Sequence, residues 1–594
     1  MPKPEHADSD GRLIVSSMST RALVGALSLA SLFVLPTAVD AASVGNPLCP
    51  GEEVLFNPDN GPDIVLPEGF KVSVFVSGLN FPTGIAFRGD SRRFEIYVVE
   101  AGRFPTSRCN DGVAWQTKGL PGNPFTSDIR VFDQNAKLLR TLGKPKNAAI
   151  ETPDTLNGAV DITFERRLDG GRLFATDNES SGGRILTVNP TTGNVVPLIT
   201  GLPAGPTGPL ALRAGWIYWG AGATTNNGVV DFNGGQPDIP CQDITLSQNV
   251  FDSGGGILSS GYSPFGHTNK GGTVPAFFNG TTGKVRQGVC NGAVLRAQLS
   301  NLSAIEPFSW GYRNGYAIRF APDDHPLAGG LLVGEDGADE MGSRPSNNAP
   351  ESLHLARQNP DGSPDYHGWP DRYGFLPSNQ AVFNPVGSPL DALCIFDASN
   401  SPSNCTPASL KRILTENVPI RDVLAFPPQQ IASPLAIEAA DSSFTAIDFA
   451  PNSFGRGPVQ PGAALYTLEG DFGFNAANAT APAPEAGHEV KLMNFGPQLG
   501  DSHDDERGGR KPLVLNFQRF AYNTTFEQAF VSGIAGFNRP TNVRFGPDGC
   551  AYVADYGAIR DFGRSDPDTG VKIPADAALV QIPGTGVIWK ICPK

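Results

Sequence analysis

The chain has 594 residues, 40% of them hydrophobic and 18% charged, with 45 Lys and Arg against 59 Asp and Glu for a net charge of −14. Its 70 Gly and 53 Pro are roughly a fifth of the residues, short of the ~25–30% of low-complexity chains, so the chain is globular. An acidic chain without a Lys/Arg cluster repels phosphate backbones and anionic membrane surfaces, which argues against nucleic acid as a partner.

The first feature in chain order is the apolar run within Thr20 to Pro36, followed by Val39 and Ala41. Its length suits a signal-peptide core better than a membrane span, and the two small residues fit the cleavage rule. Residues 1–41 are therefore expected to be a signal peptide, with Met18 as an alternative start, and the product to be secreted or periplasmic with no stable membrane span after cleavage. An uncleaved N-terminal anchor is the competing reading. Residues 42–61 read as an extension ahead of the main domain, 62–594. Eight cysteines remain after cleavage, an even number that in an exported chain suggests disulfides. No two are spaced C-x-x-C, which argues against haem c attachment, a thioredoxin-like site and the usual zinc clusters.

From residue 82 onward one pattern recurs six times: a short apolar strand, a turn, and a second apolar strand with a polar end. The copies are 82–87 with 96–100, 157–164 with 173–177, 207–212 with 217–221, 313–320 with 331–335, 443–449 with 465–469, and 539–545 with 551–555. A third strand-like run follows each, at 129–132, 184–188, 293–296, 351–355, 489–492 and 586–591. No stretch sustains a helical 3.6-residue period. Short strands between Gly, Pro, Asn and Asp turns, repeated six times, predict an all-β six-bladed propeller. Long loops are expected at about 225–290 and 375–440. The last copy stops after its third strand, while Phe70 to Val76 precedes the first copy with no blade of its own. That strand is expected to complete blade six and close the ring, which removes an open sheet edge. Cys550 and Cys592 then fall on neighbouring strands and are expected to be bonded. Cys241 with Cys290 and Cys394 with Cys405 are further candidate pairs, leaving Cys49 with Cys109 by elimination.

In a propeller, residues that leave each second strand and those that begin each innermost strand share one face around the central channel. The leaving positions are Glu100, Asp177, Ala221, Glu335, Glu469 and Asp555, so five of six are acids. The beginning positions include Thr83, Gly158, Thr207, Arg313, Asn314, Ser443 and Arg539. Carboxylates around one channel suit Ca2+, which takes oxygen ligands, and Glu335 with Asp336 in the acidic loop 334–345 are the candidate metal ligands. The alternative is that these acids accept hydrogen bonds from backbone N–H groups of neighbouring blade turns. The guanidinium of Arg313 suits a ligand bearing carboxylates or quinone oxygens, with an inter-blade salt bridge to Glu335 or Asp336 as the alternative. Trp369, in the run Tyr366 to Pro370, is expected to pack rather than bind. Nothing resembles H-E-x-x-H, G-x-S-x-G, a Walker loop or a G-x-G-x-x-G unit, so zinc-protease, hydrolase-elbow, nucleotide-hydrolysing and NAD readings lack support.

The run Phe308 to Phe320, then Leu331 to Glu335 and His367 to Pro370, resembles the glucose/sorbosone dehydrogenase family of soluble quinoproteins. Asp238 to Thr245, Val289 to Arg296 and Gly342 to Pro345 look like a large bacterial subgroup of it. Leu66 to Phe70 and Arg539 to Gly549 look like its first and last blades. The resemblance implies a six-bladed propeller carrying pyrroloquinoline quinone (PQQ) and Ca2+ on the channel axis, oxidising a sugar C1 hydroxyl or an aldehyde for a separate electron acceptor. It also implies that Arg313 and Asn314 contact the quinone. The family's His general base is expected where this chain has Leu202 to Pro209, without a His, and Gly315 stands where the family has Pro. A replacement base would come from Asp177, Glu335 or His267, because hydride loss from an alcohol is slow unless its proton is taken. Two other readings compete: a catalytically silent propeller binding glycan or protein, and a metal-dependent lactonase-type hydrolase with axial acids.

Overall fold

A computed structural model describes residues 63–102, 126–143, 154–165, 171–179, 182–203, 207–225, 238–246, 272–276, 289–338, 349–377, 433–470, 486–496, 514–524, 536–557 and 583–594, with short strand pieces at 44–45, 53–54, 280–282, 285–287, 424–426, 559–561, 564–565, 572–573 and 579–581. Six antiparallel sheets of at least four strands each make up the architecture. Blade one is Pro82–Gly89, Phe94–Glu100, Asp128–Asp133 and Leu138–Leu142. Blade two is Ala159–Phe164, Leu173–Glu179, Gly182–Val188 and Val195–Leu202. Blade three is Thr207–Arg213, Trp216–Ala221, Ala293–Gln298 and Asn301–Trp310. Blade four is Asn314–Phe320, Leu331–Asp336, Glu351–Ala356 and Ala436–Glu438. Blade five is Phe444–Phe449, Ala464–Leu468, Glu489–Phe495 and Val514–Asn523, with Ile64–Val65 added outside. Blade six is Pro540–Phe545, Ala551–Asp555, Gly586–Pro593 and the N-terminal strand Phe70–Leu79.

The second strand of each blade is apolar on both faces because a neighbouring blade covers each side; Phe94–Glu100 and Ala464–Leu468 are buried almost throughout. Each interface between blades has its own cluster. Tyr97 and Val131 of blade one meet Ile162 and Leu186 of blade two, Leu353 of blade four meets Ile447 of blade five, and Val98 of blade one meets Tyr552 and Ile588 of blade six. Each fully buried aliphatic side chain of this kind contributes about 1.5–3 kcal/mol. The outermost strands lack an outer neighbour and are half exposed, with Leu138 and Leu139 at 41% and 43%.

Ring closure follows the expected route. Phe70–Leu79 pairs antiparallel with Gly586–Pro593, from Phe70 opposite Pro593 to Leu79 opposite Gly586. On the inner side the Thr541 hydroxyl donates to the Pro82 carbonyl at 2.8 Å and the Asn542 amide to the Thr83 carbonyl at 2.9 Å, joining blade six to blade one. Cys550 and Cys592 are bonded across adjacent strands of blade six, and Cys241 is bonded to Cys290. Cys49, Cys109, Cys394 and Cys405 lie outside the described residues. The two long insertions meet in a small sheet, where Ile244–Leu246 pairs with Thr273–Val274 on one side and with Leu424–Phe426 on the other. Among the described residues no helix is long and apolar enough to cross a membrane.

Candidate functional site

Each innermost strand runs from the loop face into the channel, so its first residues line the mouth and its middle residues the interior. Four innermost strands carry charged residues among their apolar ones: Asp161 in mid-strand, and Arg319, Asp448 and Arg544 one residue before the end. Arg544 of blade six approaches Asp161 of blade two at 3.4 Å, although blade one lies between those blades, so the pair spans the channel. Gly84 of blade one leaves the room, since a Cβ there would stand 3.0 Å from the Asp161 Cα. Arg319 pairs with Asp448 at 2.7 Å, and Asp448 also accepts from the Phe545 N–H at 2.8 Å. Burial raises the Asp161 carboxyl, with Arg544 pulling it back. This network crosses the channel, and the mouth on the loop face lies beyond it.

At the mouth, four of the five ring acids are committed to the blade framework. Asp177 is fully buried and takes both Nε (2.8 Å) and Nη2 (2.5 Å) of Arg184 as well as the Asn157 N–H at 2.9 Å. Asp555 accepts the N–H groups of Asn538, Arg539 and Gly557 and the Trp589 indole N–H at 3.0 Å. Glu100 accepts the Asn80 N–H at 2.7 Å and stands directly across the sheet from Asp128. Burial and that second acid push Glu100 well above the usual carboxylate range.

Glu335 is the most heavily bonded. One oxygen accepts the Arg313 backbone N–H at 2.7 Å, and the other takes the His354 Nε2 at 2.8 Å and the Arg372 guanidinium. Burial would raise its pKa, but Arg372, His354 and the Arg313 N–H outweigh burial and hold it at about 2. His354 is itself fully buried; burial and Arg372 lower it to about 3, so it is neutral and donates Nε2–H. Arg372 is fixed in turn by the His367 carbonyl at 2.7 Å and the Ser352 hydroxyl at 2.9 Å. His367 stacks on Tyr312, with ring centroids 4.9 Å apart.

The fifth acid differs. Glu469 is half-buried and its carboxylate has no hydrogen-bond partner among the described residues. Burial raises its pKa to about 7, with Arg539 opposing and Asp555 adding.

Arg313 and Asn314 sit where blade four begins. Glu335 holds the Arg313 N–H, the Arg313 carbonyl accepts the Ala223 N–H at 2.7 Å, and the Asn314 amide reaches Asp336 at 3.4 Å. Glu335 thus engages the backbone of Arg313. The Gly315 carbonyl presses so closely on Gly220 of blade three that a Cβ on Gly220 would stand 2.4 Å away, so packing at this corner requires the glycine at 220. Beside this corner Glu335, Ala338, Pro350, Trp369, Pro370 and Arg372 line a small cleft. Trp369 packs over Gly292, as a structural residue would.

Glu335 accepts three donors, Asp177 is bonded to Arg184 and to the Asn157 N–H, and among the described residues no three His, Cys, Asp or Glu side chains converge to hold an ion. Residues 339–348 of the acidic loop and His267 lie outside the described residues. Sequence reasoning missed Tyr316, Arg372 and the channel network. The network had a signal: Asp161, Asp448 and Arg544 each interrupt an apolar strand at an inward position. Arg372 had none, since it lies in no repeat.

No family model matches the chain, and no curated protein does. Solved structures do. The calcium structure of Trichoderma reesei Carbohydrate-Active Enzymes Family AA12 is 15% identical, covering 90% of this chain and 98% of its own, at a TM-score of 0.46. The holo pyranose dehydrogenase PQQ domain of Coprinopsis cinerea is 14% identical, covering 92% and 99%, at 0.44. The apo soluble aldose sugar dehydrogenase of Escherichia coli is 11% identical, covering 88% and 100%, at 0.40. At these values the likeness assigns no activity, and function has to be read from the residues.

Proposed function

We propose that the chain is an exported, quinone-dependent oxidoreductase acting on a sugar or aldehyde, with Arg313 and Asn314 holding the quinone at the channel mouth. The observation that carries this reading is the Arg313–Asn314 corner: Glu335 anchors the Arg313 backbone and Asp336 meets the Asn314 amide, within the run that resembles the quinoproteins. Its donor set fits PQQ, a planar quinone with three carboxylates, because a guanidinium and an amide supply directed N–H groups to such oxygens. When bound, the quinone supplies a two-electron acceptor. The chain's own contribution is to orient that acceptor, to close the channel beneath it through Asp161, Arg544, Asp448 and Arg319, and to take up the substrate proton. Ca2+ remains part of this reading as a cation for the acidic channel mouth.

The test is calorimetric titration of PQQ into the protein lacking residues 1–41, with and without Ca2+, repeated on Arg313→Ala. Binding by the parent protein, weakened tenfold or more in the variant, is the expected result. No binding by a folded protein overturns the reading.

A further inference from the structure

Five ring positions carry an acid, and what separates them is how many donors each accepts. Asp177 and Asp555 are saturated by N–H groups, Glu100 is bonded to Asn80 and paired with Asp128, and Glu335 is clamped by Arg372 and His354. Glu469 receives none from the described residues, yet its backbone is fixed: its N–H donates to the Ser443 carbonyl at 3.0 Å and the next N–H, of Gly470, to the Ser442 carbonyl at 3.0 Å. Glu469 is half-buried at the channel mouth, so a carboxylate that no described donor saturates is open to a ligand entering there. A second group shares this state. Tyr316, the third residue of blade four's innermost strand, is half-buried and its hydroxyl also lacks a partner among the described residues. Glu469 is the charge that most strongly raises Tyr316 after burial, which places the two within electrostatic reach across the mouth.

The groups facing Glu469 come from three blades. Blade six supplies Arg539, whose Nη1 donates to the Gly470 carbonyl at 3.0 Å, together with Asp555 and Tyr556. Blade four supplies Tyr316, near Asp336. Blade five supplies His488, whose ring packs so closely on Gly470 that a Cβ there would stand 2.4 Å away. The backbone around Glu469 is unusual as well: Asp441 (φ 63°), Ser443 (φ 50°) and His488 (φ 55°) are three of the six non-glycine residues with left-handed φ among those described. Such conformations persist where the surroundings enforce them.

We infer that Glu469 is the general base of this site, taking the proton of a substrate hydroxyl or hydrated aldehyde, with the Tyr316 hydroxyl beside it as a donor to the same substrate oxygen. This deepens the proposed function and rests on it. The substrate O–H proton goes to the Glu469 carboxylate, the C–H bond breaks with its electron pair leaving as hydride, and the carbonyl forms; a quinone held by Arg313 and Asn314 would supply the two-electron acceptor. Glu469 thereby fills the role left without a His at Leu202 to Pro209. A base works best when its pKa lies near the working pH, and burial has moved Glu469 into that range.

The test compares the parent protein with Glu469→Gln, which keeps the shape and removes the proton site. PQQ binding is expected to stay within about threefold while single-turnover oxidation of the sugar or aldehyde found by screening falls about 10²–10⁴-fold, the usual worth of a general base. The parent's rate should rise with pH through about 7, and that limb should vanish in the variant. An independent reading uses the protein without quinone: the infrared carboxyl band should titrate around neutral pH in the parent and be missing from the variant. Unimpaired turnover by Glu469→Gln, or no carboxyl titrating near neutrality, overturns the assignment. Failure of the parent to bind PQQ overturns the proposed function and the hydride step with it, whereas normal PQQ binding with an active variant overturns the base alone.

Discussion

Glu335 and Glu469 occupy the same position in successive blades, at the end of the second strand on the channel face, and the molecule uses them in opposite ways. Around Glu335, three donors arrive from Arg313, His354 and Arg372, and the carboxyl stays ionised down to about pH 2. Around Glu469 no donor arrives from the described residues, and burial, with Asp555 adding and Arg539 opposing, moves the same functional group to about 7. Position in the repeat decides only that an acid faces the channel. Whether it serves the framework or remains open to chemistry is decided by partners whose residue types the repeat does not fix.

The contrast is broken most severely by Glu335→Ala, which leaves Arg372 buried without its anion. Losing one partner of a buried pair costs about 3–5 kcal/mol, and chemical denaturation at pH 7 should show it. The sign with pH follows from the lowered carboxyl: the stabilisation is complete above the usual carboxylate range and is lost as pH falls from about 4.5 to about 2. The parent and the variant should therefore converge in stability at the acid end. His354→Leu removes a hydrogen bond to a charged group, for an expected loss of about 1.5–3 kcal/mol by the same assay. Because His354 is buried neutral and must become charged to unfold in acid, the variant should also lose part of the parent's decline in stability between about pH 6.5 and 3. The smallest effect belongs to Glu469→Gln and has the opposite sign. A carboxyl raised on folding stabilises the fold only while protonated, and that contribution disappears as pH rises from about 4.5 to about 7. The variant should therefore match the parent at pH 4 and exceed it at pH 8, by less than about 1 kcal/mol for a half-exposed group. A Glu469→Gln protein that is less stable at pH 8 would make Glu469 a framework residue like Glu335.

The blades were legible because the inner three strands of each are covered on both faces and so read as apolar runs with sharp polar ends. The outer strands were not legible: Leu138–Leu142 and Val195–Leu202 mix exposed and buried positions without clean alternation. Closure by Phe70–Leu79 was legible because one strand was left over at the front and one was missing at the back. In the site, the ring of acids was readable from register, and Arg313 with Asn314 from the run that surrounds them. The fate of each acid was not, because the deciding partners, Arg184, Asp128, His354 and Arg372, lie at third-strand or loop positions where residue type follows no rule of the repeat.

The strand that closes the ring also sets when the ring can exist. Phe70–Leu79 is the first strand of blade six to be synthesised, and its partner Gly586–Pro593 is the last. Until then blade six lacks its third strand, and Val98 and Phe132 of blade one have no Ile588 to pack against. Contacts so far apart in sequence form slowly, and an unfinished chain exposes apolar surface meanwhile. A polypeptide of this design cannot lock into its native shape while it is still being made.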